Sequence, residues 1–330
     1  MFCGVDCMAA AETRFHSFEC AALSSILNLD MGKMSLLAVR IVSVAGLDFL
    51  SEFLPPACAE NDIKTNEQKR SLGFNSTGQY DSTDLLPIFN LISNSEMRSV
   101  SDLFKRSMMS ACLVKCLGLK SCEETSLIGS FLLRLLQSLP CNAHEISETI
   151  ESDDEKVPIN LEIGAAAYAC LSLLNHSCDP NVVRHSHGNT AVLRAIKFIP
   201  KGEQILDNYG YHYAVHSKET RQLHLQSQYL FSCACEACSN SWPLHQNLSS
   251  VTIVAGSGEL VVKRSSAAIQ PIIQLSLNGE ELSENDIVEI FKHLKVLDEN
   301  AGRLCQEFNC CQEIIKQYFA KKGNFYSLLC

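Results

Sequence analysis

Three cysteines fall within one short run, Cys233-Ala-Cys235-Glu-Ala-Cys238, and this is the densest set of chemically capable side chains in the chain. Thiolates are soft donors, and three of them this close suit a tetrahedral zinc ion, which in a closed structural site takes four ligands. The best fourth donor is Cys178, in Asn175-His-Ser-Cys178-Asp-Pro180. Zinc bound there would add to folding stability and pin a C-terminal loop to a distant upstream segment. The plain alternative is a set of unrelated free cysteines. Asn175-His176 has its own plain alternative, because Asn, Ser, Asp and Pro all favour turns. Tyr209, before Gly210, reads otherwise as a strand-end aromatic. Phe231 reads otherwise as core, and His144 equally as a satisfied polar side chain. Near the start, Cys3-x3-Cys7-x8-His16-x3-Cys20 has metal-ligand spacing. It reads otherwise as a Cys-rich helix.

Positioning these residues requires elements, and the sequence marks several. Residues 31–50 form an apolar, helix-like stretch. Residues 58–84 are rich in Asn, Ser, Thr and Gly and read as a loop. Ser99-x-x-Asp102 is a helix start signal, opening a helix through Leu117, and a second apolar helix covers 125–139. The acidic run 151–155 reads as a solvated turn. Short strands are expected at 189–196 and 202–206, around a Pro200-Lys-Gly202 turn, with a helix over 217–228. Ser283-x-x-Asp286 opens another helix, with Ile287, Ile290, Phe291, Leu294 and Leu297 on one face at the helical period. A last helix carries Leu304, Phe308, Cys311, Ile315, Tyr318 and Phe319. The two final helices suggest a helical hairpin, or the start of a repeat array, or an ordinary helical tail.

Composition narrows the classes. The chain has 330 residues, 46% hydrophobic and 19% charged, which is ample for a core and too apolar for disorder. Its formal net charge of −10 disfavours nucleic acid and makes a basic protein the more natural electrostatic partner. The first residues lack the pattern of a signal peptide. The apolar runs 35–50 and 126–139 are interrupted by Arg40 and Arg134, so neither is expected to span a bilayer. The expectation is an intracellular protein, cytoplasmic or nuclear, in which 17 cysteines are thiols or metal ligands.

Three blocks together resemble the SET-domain methyltransferases of the SET-and-MYND group: LLNHSCDPN at 173–181, AVLRAIKFIPKGEQILDNYG at 191–210 and QYLFSCACEAC at 228–238. The resemblance implies an α+β fold with a SET-domain core of short twisted sheets, a helical insertion, a zinc-stapled post-SET loop and a helical C-terminal region. It implies S-adenosylmethionine as cofactor, contacted by Asn175, His176, Ser172 and Asn142, with Phe231 on the adenine. Tyr209 becomes the catalytic tyrosine, also beside the cofactor, while Tyr229 and His144 line the lysine channel. Cys178, Cys233, Cys235 and Cys238 hold zinc. The residue types suit that chemistry. Methyl transfer is an in-line displacement helped mostly by positioning, and aromatic walls suit both adenine and a methylated ammonium. A lysine with a free pKa of about 10.4 must lose its proton first, which an apolar channel favours.

One departure stands out. Cys3, Cys7, His16 and Cys20 match only the second half of a MYND zinc finger, with low completeness at either metal. The family also places a Gly-rich SET strand upstream of that finger. The expectation is that the chain begins inside a longer protein. The implied organisation is a MYND remnant at 1–20, a helical linker and SET insertion at 21–154, a SET core at 155–226, the post-SET zinc motif at 227–242 and a tetratricopeptide-like helical region at 243–330. The implied activity is lysine methylation of a protein substrate, histone or non-histone. A non-catalytic scaffold is the alternative from a different class.

Overall fold

The computed structural model describes residues 4–52, 73–81, 83–152, 159–250, 258–301 and 303–328. The chain divides into two compact units, one made of residues 1–145 and 164–173 and the other of 146–163 and 174–330.

The first unit is helical. Its helices are α1 (Val5–Ala11), α2 (Ser17–Asn28), α3 (Lys33–Glu52), α4 (Val100–Leu117) and α5 (Cys122–Asn142), with a π turn joining α1 to α2. Helix α4 has the bounds its sequence signals: the Ser99 hydroxyl accepts the Asp102 N–H, and Gly118 ends it at φ 66°. Helix α5 starts earlier than expected, because Ser121 caps it by accepting the Glu124 N–H. Its face Ile128, Phe131, Leu132, Leu135, Leu136 and Leu139 is buried against Ala38, Val39 and Val42 of α3 and Leu113 of α4.

By length and composition α3 is apolar enough to cross a bilayer, contrary to the reading of 35–50. Its buried residues instead line this unit's core, and the helix breaks at Gly46, whose φ of 73° no other residue type adopts so readily. Arg40, the expected interruption, is held by a fork of hydrogen bonds to the nearly fully buried Glu19.

The second unit carries the short sheets. Strands β1 (His144–Ser152) and β2 (Ile159–Ala166) run from one unit into the other. Strands β3 (Asn175–His176), β4 (Val182–His187), β5 (Thr190–Ala195), β6 (Leu206–Asp207) and β7 (Phe325–Leu328) complete the set. β1 pairs in parallel with β7, β3 in parallel with β6, and β4 with β5 as a hairpin. Glu151 lies in β1 rather than in a turn, and 153–155 lie outside the described residues. So do 58–72 of the expected loop.

The strand expected at 202–206 shrinks to β6. The Asn181 side chain explains why: it donates to Gln204 O at 2.8 Å and accepts the Leu206 N–H at 2.8 Å, serving as the partner a neighbouring strand would have provided. Helix α6 (Lys218–His224) is capped by Ser217 and continues as a π turn to Tyr229.

Three helices follow: α7 (Gly258–Leu277), α8 (Glu284–Asn300) and α9 (Gln306–Ala320). The Ser283–Asp286 capping box is fully formed. Ile287, Ile290, Leu294 and Leu297 pack against Val262 and Ile269 of α7 and Phe308, Cys311 and Ile315 of α9. The expected hairpin therefore has a third partner, α7. Leu304 lies outside α9, because Cys305 is extended and bridges to Ser249.

Candidate functional site

The second unit brings Cys178, Cys233, Cys235 and Cys238 together, with all four sulfurs within 4.8 Å of one another. Local structure accounts for this. The π turn after α6 ends at Leu230, which at φ 62° turns the chain sharply into the cysteine run. Gln222 of α6 then clamps Cys233 from both sides, donating to its carbonyl at 2.6 Å and accepting its N–H at 3.0 Å. Cys235 starts a one-turn helix, Glu236–Ser239, that carries Cys238. Cys178 approaches from the segment after β3, and its sulfur lies 3.5 Å from that of Cys238.

The donor set fits a zinc ion. Arms of about 2.3 Å give a tetrahedron with edges of about 3.8 Å, within the span observed. Hydrogen bonds from Cys233 and Cys235, and then burial, push the Cys178 thiol up, whereas bonds from Cys178 and Cys233 pull Cys235 down toward thiolate. Four thiolates this close, three of them buried, would be compensated by a divalent cation. Among the described residues no other group of His, Cys, Asp or Glu has this geometry.

An aromatic group adjoins the cysteines. The parallel bridge Asn175↔Leu206 and His176↔Asp207 sets His176 beneath Tyr209. The Tyr209 N–H donates to His176 Nδ1 at 3.0 Å, so Nε2 carries the proton and faces the Cys178 sulfur at 3.3 Å. Burial, only partly countered by Cys235, lowers His176 to about 4, so the ring is neutral. It thus ties the tyrosine to the cysteine cluster and presents no free nitrogen to solvent.

The Tyr209 hydroxyl donates to Leu174 O at 2.5 Å. Burial first, then Asp207, pushes it up to about 12. It is therefore a neutral phenol whose lone pairs remain to accept. Around it, the Tyr229 ring stands 4.8 Å away, the Phe231 ring packs edge-on at 6.4 Å, and Tyr229 Oη donates to Tyr209 O at 3.3 Å. Asn175 is exposed, its amide reaching Gln204 Oε1 at 3.3 Å.

The remaining expected residues lie in the first unit. Asn142 is buried, and its amide donates to Ile92 O at 2.8 Å and Ser138 O at 2.7 Å. Its carbonyl accepts the Ser172 hydroxyl at 2.9 Å, and Ser172 Oγ lies 3.3 Å from His144 Nε2. Asn142 thus anchors Ser172 and His144, and its own amide protons are spent. Cys3 lies outside the described residues. Cys7, His16 and Cys20 sit on one helical run, Cys7 and Cys20 exposed. Nine residues of helix separate Cys7 from His16, roughly 13 Å, so those two cannot share an ion there.

The SET domain family matches residues 49–210. The mouse "Protein-lysine N-methyltransferase SMYD4" is 28% identical over 285 residues, covering 72% of this chain and 35% of its own. The human protein of the same name is 26% identical over 290 residues, covering 72% and 36%. The "Histone-lysine N-methyltransferase ASHR1" of Arabidopsis thaliana is 39% identical over 100 residues, covering 30% and 18%. The chain thus carries a SET-domain match and is similar to SET-and-MYND proteins. It spans about a third of the length of the SMYD4 relatives it matches.

Around this SET-domain match the structure adds residues that the motifs did not flag. Arg184 and Asp207 form an ion pair directly behind Tyr209. Tyr211 stacks on His224 with ring centroids 3.8 Å apart. Arg221, fully buried, points a guanidinium at Cys238 Sγ, 3.5 Å away. Burial alone would lower it, and the thiols of Cys238 and Cys178 outweigh that and hold it charged. Histidine and tyrosine density between 209 and 229 signals the stack in the sequence. Nothing in the sequence distinguishes Arg221 from a surface helix arginine.

Proposed function

We propose that this chain is the SET portion of a protein-lysine methyltransferase that uses S-adenosylmethionine and holds zinc at Cys178, Cys233, Cys235 and Cys238. The observation that carries the reading is the half-buried group of Tyr209, Tyr229 and Phe231 around a tyrosine hydroxyl whose proton is committed to Leu174 O. S-adenosylmethionine, when bound, supplies an electrophilic methyl group on a sulfonium. Asn175, exposed, and the Phe231 face are the groups of this unit suited to hold it, the amide for its polar tail and the ring for its adenine.

Tyr209 Oη, with its own proton donated away, offers lone pairs to an N–H of the incoming lysine. A phenol held at about 12 is no base at neutral pH, so the lysine sheds its proton to water. The apolar rings favour that neutral amine. His176 and the zinc staple keep Tyr209 in place through its backbone N–H. We further assign Ser172 and His144, held by Asn142, to the cofactor and channel walls. The substrate is a protein, for which net charge −10 suggests a basic segment. The thiol-rich composition supports a cytoplasmic or nuclear site of action.

Calorimetric titration with S-adenosylmethionine tests this. Binding should be measurable and should weaken about tenfold or more in Phe231→Ala and in Asn175→Ala. Absence of both binding and labelled-methyl transfer to lysate proteins would overturn the enzyme reading in favour of a scaffold.

A further inference from the structure

Arg221 is among the largest fully buried side chains of the described residues, and it is a cation. A buried charge is costly unless a counter-charge and hydrogen bonds meet it. Two of its bonds go to backbone carbonyls: Nη1 to His216 O at 2.7 Å and Nη2 to Ala237 O at 3.5 Å. Nε finds no partner among the described residues. Nor is any carboxylate there within ion-pairing reach, and its neighbour Glu219 is fully exposed. The anionic groups that remain are sulfurs, with Cys238 Sγ 3.5 Å from Nη2. Four thiolates around one divalent ion make a dianion, which is itself buried here, since Cys178, Cys233 and Cys238 are all sequestered. A fixed cation on its rim halves that charge.

We propose that Arg221 is the charge-balancing positioning residue of the cysteine site, setting how firmly zinc is held and how reactive its thiolates are. The inference rests on the zinc reading above. Excess negative charge raises the nucleophilicity of metal-bound sulfur, and an arginine fork donating to one of the sulfurs damps it. The role is distinct from bridging carbonyls. Bridging needs only donors, whereas balancing needs charge.

The experiment uses the full chain with zinc. Metal analysis comes first. Alkylation by iodoacetamide follows, in which a thiolate sulfur forms a C–S bond, the C–I bond breaks and iodide leaves. Released zinc is read with a chromophoric chelator. Arg221→Gln keeps neutral donors and removes the charge, and it should alkylate and release zinc roughly tenfold faster than wild type. Arg221→Lys keeps the charge and should stay within about threefold of wild type. Equal rates in wild type and Arg221→Gln overturn the proposal, as does equal acceleration in Arg221→Gln and Arg221→Lys. If Arg221→Gln does not fold, a folded Arg221→Lys with wild-type thiolate reactivity supports charge balance, and an accelerated one refutes it. Failure of both to fold also refutes it, since a purely electrostatic role tolerates lysine. A wild-type chain devoid of zinc removes the zinc reading itself, a result separate from all of these.

Discussion

At the scale of single residues, the aromatic group has a division of labour. The Tyr209 ring packs against Tyr229 and Phe231, while its hydroxyl is tied to Leu174 O. Tyr209→Phe keeps the packing and removes the lone pairs. Methyl transfer should fall on the order of 100-fold, with a thermal stability loss of only about 1 kcal/mol for the unpaired Leu174 carbonyl. Kinetics set beside a melting curve would check this, and a parallel collapse of both would mean the hydroxyl is structural. Cys178→Ser should abolish zinc by metal analysis and unfold the loop of 227–240, because a hydroxyl is a poor substitute for a soft thiolate. Full zinc retention in that variant would point to a different fourth ligand.

At the scale of elements, caps written in the sequence held where they were legible. Ser99 and Ser283 each open the helix their spacing announces, and Ser217 caps the helix expected from 217 onward. Removing one side of the box, Ser283→Ala, should cost about 1 kcal/mol and lower the melting temperature by a few degrees. Ser283→Thr, which keeps the hydroxyl that bonds Asp286, should restore most of it. The strands were less legible. β1 and β7 lack an apolar alternation, and the pairing of β1 joins residues far apart in sequence, Thr149 with Phe325 for example; β2 alternates, Ile159-Asn-Leu161-Glu-Ile163, over too short a run to read as a strand. β6 is short because Asn181, a side chain, completes what a ladder would otherwise extend. Helix α7 was missed because 258–277 has no capping signal of the Ser-x-x-Asp kind.

For the molecule as a whole, the decisive quantities are buried polar groups rather than surface charge. His185 is lowered to about 4 by burial, reinforced by Arg194 and Arg184, and His212 to about 3 by burial and then Lys316 and Lys197. The Nε2 atoms of both are buried and unpartnered among the described residues. In the unfolded chain each takes a proton near 6.5. Below that pH the unfolded state binds more protons than the folded one. Stability is therefore full above about 6.5 and declines as pH falls toward 4. Each group should contribute on the order of 1–2 kcal/mol of that loss between pH 7 and pH 5. His185→Phe should flatten the slope of stability against pH in chemical denaturation. An unchanged slope would mean that His185 takes up its proton at the same pH in the folded and unfolded states.

The sequence by itself determined the chemistry available: four thiol donors at zinc spacing, Tyr209 next to a glycine, Asn175-His176 before the cysteine, and the helix caps. These are local, because donor type, turn preference and capping depend on neighbours a few residues apart. Tertiary structure alone decided which partner within the protein each of these side chains meets. The Asn142 amide donates to Ile92 and Ser138, and the His176 ring meets Tyr209 and Cys178. Arg221, unmarked in the sequence, becomes the counter-charge of the cysteines. The reason is physical. Burial sets both the cost of a charge and the partner that must meet it, and burial is a property of the packed chain.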